Sequence, residues 1–464
     1  MVFSSAIFLW VFLPVVFVLN YFIKPQYSNI LLVIASLIFY AWGEPYLVLL
    51  MIASILVNWL VGLGISRFQE HKKLILLAGI LFDLSTLGYY KYAGFFVSTI
   101  NLVLRKDVFN VPSIALPIGI SFFTFQAISY ILDVYRGDTE AQPKLINTAL
   151  YISFFPQLIA GPIVKYREIN KQIENRTITN TKIAVGFRRF IYGLAKKVLI
   201  SNTLGLCADT IYGYDLSAMN GTMAWIAALS YTFQIYYDFS GYSDMAIGLG
   251  KMFGFDIPEN FNYPYLSLSI TEFWRRWHIS LGSWFREYLY IPLGGNRKGK
   301  VRTYVNLVIV FFLTGMWHGA SFSFIFWGLY HGLFSIIERF GFKKFCEKFK
   351  AFGIAYCFLI VNFGWVFFRV PGIMQAFAVI KRMIMPWQYT NCGIDTGFYA
   401  DMKTLFIGIC AFIGAGLIQS CVPKKLADKW KGSIAEAVYC FGLLILCLAS
   451  IATNTYNPFI YFQF

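Results

Sequence analysis

Charged residues are scarce in this 464-residue chain. Asp, Glu, Lys and Arg together make up 13% of it, whereas soluble domains carry roughly 25%. Hydrophobic residues account for 58% and aromatic residues for 19%, and the mean hydropathy is +0.61. This balance excludes an ordinary soluble globular protein and predicts a polytopic membrane protein.

The sequence also lacks paired cysteines. Its eight cysteines are scattered, mostly in apolar stretches, and none forms a CxxC pair. Isolated cysteines of this kind are typical of small buried hydrophobic residues, which argues against a disulfide framework. No His, Asp and Glu spacing matches a zinc or two-metal site, so we expect no bound metal.

Acidic residues are outnumbered by basic ones, 23 to 39, which gives a net charge of +16. The basic residues come in short clusters between apolar runs, and positive-inside bias explains this pattern without a nucleic-acid partner. We therefore expect no nucleic-acid binding and assign the clusters to the cytoplasm. They are Arg67–Lys73, Lys165–Arg189, Arg297–Arg302, Arg339–Lys350 and Lys424–Lys431.

Long apolar runs without alternation of period two predict helices. We expect an all-α polytopic protein of about 10 to 14 membrane elements, each span needing roughly 20 residues. The first span, Ile7–Phe22, has no basic residues before it and no signal-peptide cleavage site, so we expect it to be retained. The C-terminal tail is expected to emerge on the exported side.

Four apolar stretches between the first two basic clusters return the chain to the cytoplasmic side in this topology. One of them, Phe95–Leu104, is too short to span, and we expect it to be re-entrant or paired with its neighbour. The four are Leu74–Tyr90, Phe95–Leu104, Ile114–Leu132 and Leu145–Ile163.

Histidine is rare, and three of the four histidines, His278, His318 and His331, lie close together in sequence. His318 lies in Thr314–Ser321, between two apolar runs. An ionisable residue in a membrane segment is costly and by default marks a functional site, although a hydrogen-bonded histidine in helix packing is the alternative. We expect His331 to be structural or cavity-lining, and His71, in a basic loop, to be solvated.

The segment Asp238–Lys300 does not resemble a span, because Gly, Pro and Asn interrupt it repeatedly. Irregular backbone at membrane depth is tolerated where it lines a cavity or is buried in protein. Within it, Phe273–Leu289 has helical spacing, and periodicity alone favours an interfacial amphipathic helix. His278 beside the apolar stripe favours a cavity wall instead. The stripe consists of Trp274, Trp277, Leu281, Trp284 and Tyr288.

Four motifs stand out in the second half of the chain. They are Tyr237–Asp244 (YDFSGYSD), Glu272–Leu281 (EFWRRWHISL), Tyr288–Arg297 (YLYIPLGGNR) and Met316–Ala320 (MWHGA). These motifs resemble signatures of the membrane-bound O-acyltransferase (MBOAT) superfamily, and within it the alginate O-acetylase (AlgI-like) branch. Similarity at both ends, from MVFSS to PFIYFQF, extends the resemblance over nearly the full length.

The resemblance implies a fold and an organisation. It implies a helical ring with re-entrant segments around a central cavity, in a single membrane-embedded acyltransferase domain, 1–464. The expected parts are N-terminal helices (1–163), a catalytic core (164–345), and C-terminal helices with an exported tail (346–464). The bacterial cytoplasmic membrane is the expected location.

The resemblance also implies the catalytic residues. His318 occupies the position of the catalytic histidine, and His278 occupies a second signature position, where many lipid or protein acylators have Asn. Transfer from a thioester to a hydroxyl needs a base, and neutral imidazole is suited to that role near physiological pH. Such a base contributes about 10²–10⁴-fold. The second histidine would orient the acceptor or stabilise the oxyanion.

By resemblance the donor substrate is acetyl-CoA, with no bound cofactor. Its phosphates require cations on the cytoplasmic side, although positive-inside bias would also put bases there. The donor-phosphate candidates are Lys196, Lys197, Arg275, Arg276, Arg297 and Lys298.

The C-terminal tail contains Tyr461, which belongs either to an aromatic belt at the membrane surface or to an acyl relay. The resemblance implies the relay, in which the tyrosine passes the acyl group to an extracytoplasmic SGNH-hydrolase-like O-acetyltransferase. No polar stretch of the chain is long enough to fold as that second enzyme. The loop Pro371–Asp401 is a candidate docking surface for it, or an amphipathic helix on the outer leaflet.

Three functions compete. The resemblance favours acetyl transfer for O-acetylation of an exported polysaccharide, alginate-like or another exopolysaccharide or cell-wall glycan. The alternative is D-alanyl transfer to teichoic acid from a carrier-protein thioester. A proton-coupled transporter is the third, but we find no inverted repeats to support it.

Overall fold

The computed structural model describes residues 1–390, 397, 399–454 and 456–460, without the side chains of 419, 420 and 424. Helices make up most of the described chain, and no β-strand occurs within it. The chain divides into two compact units, Met1–Phe190 with Ser243–Pro258, and Ile191–Tyr242 with Glu259–Phe464. The expected single domain with three parts therefore stays a prediction.

The first unit contains helices that follow the apolar runs of the N-terminal half. They are α1 (Leu13–Phe22), α2 (Pro25–Ala41), α3 (Val48–Arg67), α4 (Lys72–Leu87), α5 (Ala93–Leu104), α6 (Ile120–Arg136), α7 (Leu145–Ser153), α8 (Phe155–Leu158), α9 (Tyr166–Glu174) and the beginning of α10 (Asn180–Ala195).

Polar side chains in these helices pair inside the unit. Asn58 of α3 donates to the Asp83 carboxylate of α4 over 3.0 Å, and both side chains are buried. Gly62 allows the helix to pass under the Tyr130 hydroxyl, which a Cβ would approach to 2.5 Å. Since an unpaired polar group is expensive in lipid, these contacts suit helices that lie in a membrane.

The stretches Leu74–Tyr90 and Phe95–Leu104 form one helix rather than two elements. A π-helical turn at Gly88–Tyr92 joins α4 to α5, and the helix continues over Lys72–Leu104 without a break. The expected re-entrant element at Phe95–Leu104 is therefore wrong. A π-turn keeps the backbone hydrogen-bonded, so an apolar run interrupted by polar residues can continue as helix.

The second unit contains the end of α10 and most of α12, and it continues to the C-terminal tail. Its helices are α11 (Asn202–Tyr212), α12 (Gly221–Met252), α13 (Ile270–Arg276), α14 (Ile279–Phe285), α15 (Gly299–His318), α16 (Phe322–Ile337), α17 (Phe342–Lys348), α18 (Lys350–Arg369), α19 (Ile373–Ile384), α20 (Met402–Phe412), α21 (Ile418–Cys421), α22 (Lys424–Trp430) and α23 (Ile434–Thr453).

Four of the described helices are long and apolar enough to cross a membrane: Val48–Arg67, Lys72–Leu104, Lys350–Arg369 and Ile434–Thr453. Their length and composition agree with the all-α, multi-pass architecture expected from the sequence. The number of membrane elements stays a prediction.

The segment expected to be irregular divides into three parts. Asp238–Met252 is helical and belongs to α12, so the irregular backbone begins fifteen residues later than predicted, at Phe253. Residues 253–269 are largely irregular. The expected amphipathic helix over Phe273–Leu289 is instead broken between α13 and α14, and much of its apolar stripe is buried inside the protein rather than exposed to a membrane surface.

Candidate active site

His318 is the last residue of α15 and is 3% exposed. Gly319 then adopts an extended conformation, and Ser321 begins α16 by accepting a hydrogen bond from the backbone N–H of Phe324. A side-chain cap of this kind satisfies one of the unpaired N–H groups at a helix start. The two helices thus form a tight hairpin with His318 at its turn.

Glycines let the two helices of this hairpin approach closely. A Cβ on Gly315 would lie 2.4 Å from the Phe324 carbonyl oxygen, and one on Gly328 would lie 2.3 Å from that of Phe311. Neither distance is possible for a real Cβ atom, so the glycines at 315 and 328 allow α15 and α16 to lie this close together. This close packing fixes where His318 lies.

Three aromatic rings surround the His318 imidazole. The ring centroids of Trp317, Trp327 and Phe368 lie 5.0, 5.0 and 5.3 Å from it, at interplanar angles of 85°, 86° and 75°. Edge-to-face packing of this kind is favourable and directional. It limits the rotation of the imidazole.

His278 reaches the interior from irregular backbone. It precedes α14 with φ 46° and ψ 55°, a left-handed conformation, and its side chain is 2% exposed. Non-glycine residues adopt this region rarely, and such strain clusters at functional sites. The break between α13 and α14 is what turns the His278 side chain inward.

Asn260 holds this histidine in place. Its Oδ1 lies 3.1 Å from His278 Nδ1 and accepts from the Ser280 hydroxyl over 2.9 Å and from the Ser280 backbone N–H over 3.2 Å. The Asn260 carbonyl also accepts from the Ile279 N–H over 2.9 Å. Sequence reasoning missed Asn260, and its position in the Pro- and Asn-rich stretch 258–264 was the one signal available.

Aromatic rings connect the three central histidines. Trp317 contacts both His318, at 5.0 Å, and His278, at 5.9 Å between ring centroids. Trp327 lies between His318 and His331, which is fully buried, at 5.0 and 5.2 Å. The structure thus brings together the two histidines predicted to be catalytic, with the third one ring further on.

The donor-phosphate candidates have different surroundings. Arg275, Arg297 and Lys298 are exposed. Arg276 pairs with Glu272 at 2.7 Å. Lys196 is half-buried, and buried Lys197 pairs with the Asp238 carboxylate at 2.5 Å. Binding of a donor phosphate by these residues stays a prediction.

The remaining candidates lie elsewhere. His71 is exposed at the start of α4, as expected. Tyr461 lies outside the described residues, as does part of Pro371–Asp401. In the described part of that loop, Met374 and Phe377 of α19 are exposed, whereas Met383 is buried.

A cavity of about 300 Å³ lies beside α11 and α20 in the second unit. Its lining is mostly polar, and neither His318 nor His278 is among its described residues; it includes Asn202, Thr210, Asp401, Thr404, Asn454 and Tyr456. The central cavity expected around His318 and His278 stays a prediction.

Residues 139–378 match the model of the membrane-bound O-acyltransferase family, and the chain belongs to this family. It is therefore an O-acyltransferase and a multi-pass membrane protein. This confirms the family resemblance drawn from the motifs.

Relatives refine the similarity within the family. The chain is 42% identical to a probable alginate O-acetylase, AlgI, of Pseudomonas putida over 100% of both chains. It is 40% identical to a peptidoglycan O-acetyltransferase of Helicobacter pylori over 83% of this chain and 80% of the relative. A teichoic acid D-alanyltransferase of Bacillus subtilis is 31% identical over 50% of this chain and 61% of the relative.

Proposed function

We propose that this protein transfers an acetyl group from cytoplasmic acetyl-CoA across the bacterial cytoplasmic membrane for O-acetylation of an exported polysaccharide. The observation that carries the proposal is the contact of one ring, Trp317, with both His318 and His278. The similarity to relatives named for alginate and peptidoglycan O-acetylation supports the substrate class.

His318 is the proposed general base. Its imidazole takes the proton of the acceptor hydroxyl as the oxygen attacks the thioester carbonyl carbon. The carbon–sulfur bond then breaks, and the imidazolium returns the proton to the leaving CoA thiolate. A positioned base accounts for about 10²–10⁴-fold of the rate, and the aromatic rings keep the imidazole in one orientation.

His278 is proposed to orient the acceptor. Because Asn260 Oδ1 already accepts from the Ser280 hydroxyl and N–H, it is the acceptor toward His278, and the neutral imidazole carries its proton on Nδ1. Nε2 is then the acceptor nitrogen of the ring. An acceptor nitrogen suits a hydroxyl donor better than a developing oxyanion, which needs hydrogen-bond donors.

The donor side is proposed to use basic residues to bind the phosphates of CoA. Lys196, Lys197, Arg275, Arg276, Arg297 and Lys298 remain the candidates for the CoA phosphates. Arg275, Arg297 and Lys298, which are exposed, are the most accessible of them.

The exported side is proposed to use Tyr461 as an acyl relay to an SGNH-hydrolase-like O-acetyltransferase. The tyrosine oxygen would attack the thioester, and the resulting ester would pass its acetyl group to the second enzyme. Peptide mass spectrometry after incubation with acetyl-CoA tests this step. An unmodified Tyr461 under turnover, or a fully active Tyr461→Phe variant, would remove the relay.

Purified protein in liposomes, supplied with labelled acetyl-CoA, tests the base. We expect His318→Ala to slow release of CoA by about 10²–10⁴-fold. His71→Ala is the matched control, because His71 is an exposed histidine at the start of α4. Release of labelled acetyl that does not depend on His318 would overturn the proposal.

D-alanyl transfer is the second candidate, and the similarity to the D-alanyltransferase of Bacillus subtilis is the observation that favours it. That similarity spans half of this chain, whereas the similarity to AlgI spans all of it. Supplying a D-alanyl carrier-protein thioester in place of acetyl-CoA separates the two functions. An acetyltransferase should release the acyl group of acetyl-CoA alone, and a D-alanyltransferase that of the carrier-protein thioester alone.

A further inference from the structure

Lys197 and Asp238 form a buried ion pair in the second unit. The Lys197 ammonium lies 2.5 Å from the Asp238 carboxylate, and the two side chains are 4% and 1% exposed. Lys197 belongs to a π-helical segment, Lys196–Ser201, a kind of distortion that often occurs at functional sites. Burial of two charges costs several kcal/mol per ion before their attraction offsets it, so a buried ion pair is weak evidence for a role in stability alone.

Both members of the pair also bind the C-terminal tail. The Lys197 ammonium donates to the Pro458 carbonyl oxygen and lies 5.9 Å from the centre of the Phe459 ring. The other Asp238 oxygen accepts from the backbone N–H of Ile460 over 2.9 Å. Phe459 and Ile460 are 5% and 4% exposed, so this part of the tail is packed inside the protein.

A second group of contacts holds the tail just before this point. The Tyr456 hydroxyl donates to the Asp209 carboxylate over 2.5 Å, and Arg369 pairs with the same carboxylate at 2.7 Å. Asn202 of α11 donates to the Tyr456 carbonyl over 3.3 Å. Lys197, Asp209 and Asp238 thus bind the tail directly, and Arg369 pairs with Asp209.

The YDFSGYSD motif supplies the surface on which the tail packs. The ring of Tyr242 lies 4.7 Å from that of Phe459. Gly241 permits the close approach of α12 to the segment of Lys197, because a Cβ there would lie 2.8 Å from the Gly193 carbonyl oxygen. Asp238, Gly241 and Tyr242 of the motif therefore all contribute to binding the tail, which the sequence did not reveal.

The same motif joins the tail to the histidines. Asp238, which binds the Ile460 N–H, is followed in α12 by Phe239, whose ring lies 4.7 Å from that of His278 in an edge-to-face contact. Ile460 is thus bound by Asp238, and the next residue of α12, Phe239, contacts His278.

We propose that Lys197 and Asp238 are positioning residues that hold the tail segment Pro458–Ile460 inside the protein, and that this docking serves acyl transfer through Tyr461. The last step rests on the proposed function, because it takes Tyr461 as the acyl acceptor. The docking of the tail by the ion pair stands without it.

Hydrogen exchange of the full-length protein in detergent tests the docking. Lys197→Met leaves the Asp238 charge buried and can disturb folding, so Asp238→Asn and the double variant accompany it; the double variant leaves no uncompensated charge. Lys251→Met is the matched control, because it removes an exposed ion pair with Asp256, 2.9 Å long.

We expect the peptide that contains residues 456–460 to exchange at least about tenfold faster in the double variant, a shift that corresponds to about 1.4 kcal/mol. The control should exchange at the wild-type rate there. Acetyl transfer should fall in the Lys197 and Asp238 variants, with the KM for acetyl-CoA unchanged.

Two results would overturn the proposal. Unchanged exchange of the tail in the double variant would mean that the ion pair does not hold it. A raised KM for acetyl-CoA with a still protected tail would assign Lys197 to the donor phosphates instead. If Tyr461→Phe keeps the wild-type rate, the relay fails, whereas faster tail exchange in the double variant still supports the docking.

Discussion

His318 and His278 are equally buried, but the molecule holds them in different ways. His318 ends a regular 20-residue helix, and three aromatic rings pack around its imidazole. His278 lies between two short helices in a left-handed backbone conformation, with Asn260 beside its Nδ1. Helix packing fixes the first histidine, and a loop with a hydrogen-bond network fixes the second.

In the roles proposed for them, the two histidines need different properties. A base that moves a proton needs a fixed distance to its substrate, and close packing of glycine-lined helices provides that. A histidine that orients the acceptor needs a defined tautomer, and a hydrogen bond from Nδ1 provides that. Variants that change the surroundings of His318 or those of His278, but not both, test this division of roles.

The largest effect should follow loss of the base. His318→Ala is expected to lower the acetyl transfer rate by about 10²–10⁴-fold, and His278→Ala by no more than about 10²-fold, the effect of misplacing a reactant. Rates of CoA release from labelled donor measure both. Equal losses, or a larger loss for His278→Ala, would contradict the division of roles.

The next effect concerns the left-handed backbone at His278. Asn tolerates this conformation better than most residues, whereas Ala pays a cost of about 1–2 kcal/mol. We therefore expect His278→Asn to unfold at a higher temperature than His278→Ala while both lose activity. Thermal denaturation alongside the transfer assay measures this, and a fully active His278→Asn variant would show that the imidazole is not needed.

A smaller effect should follow removal of the hydrogen-bond network. Asn260→Ala leaves His278 and Ser280 without that partner, a cost of about 1–3 kcal/mol. The transfer rate should fall less than in His278→Ala, and the two substitutions together should not add, because they act on one network. Asn262→Ala, an exposed asparagine two residues on, is the control; equal losses in the two asparagine variants would count against the network.

The last variant tests how far the packing around His318 contributes to stability. Gly328→Ala forces α15 and α16 apart and should lower the free energy of unfolding by about 1–3 kcal/mol. Gly442→Ala is the control, since no described atom of a neighbouring segment lies within 4 Å of the position that its methyl group would take, and it should be neutral or stabilising. Thermal denaturation compares them, and similar stability of the two variants would mean that the hairpin adjusts freely.

Much of the site could be predicted from the sequence, because motif residues and an ionisable group in an apolar run carry their own signal. His318 and His278 were both singled out in this way, and the structure places both beside the ring of Trp317; their catalytic roles stay a prediction. Asn260 could not be singled out, because a hydrogen bond between residues 18 positions apart in a largely irregular segment interrupted by α13 leaves no periodic trace. The break at His278 was also missed, since the stripe of apolar residues around it has helical spacing on both sides.

The tail illustrates a second limit. The sequence marked Lys197 as a cation and the tail as a separate aromatic segment, but their contact joins residues 261 positions apart. Charge counts cannot reveal which partner a buried lysine takes, because that depends on the packing of α12 against its neighbours. Fold class was predictable for the opposite reason, since long apolar runs determine helices locally.

The unbroken helix Lys72–Leu104 bears on which side of the membrane each loop faces. Its 33 residues measure about 50 Å at 1.5 Å each, and even a 40° tilt leaves about 38 Å, more than a hydrocarbon core of about 30 Å. It therefore counts as one crossing where the sequence suggested two elements.

The stretch Leu145–Ile163 compensates for this change. It forms two short helices, α7 of 9 residues and α8 of 4. Even the longer of them, α7, measures only about 14 Å and is too short to cross. We therefore expect two crossings between the first two basic clusters instead of four, out along Lys72–Leu104 and back along the 17-residue α6. Two crossings would keep both basic clusters on the same side and would make residues 105–119 an exported loop.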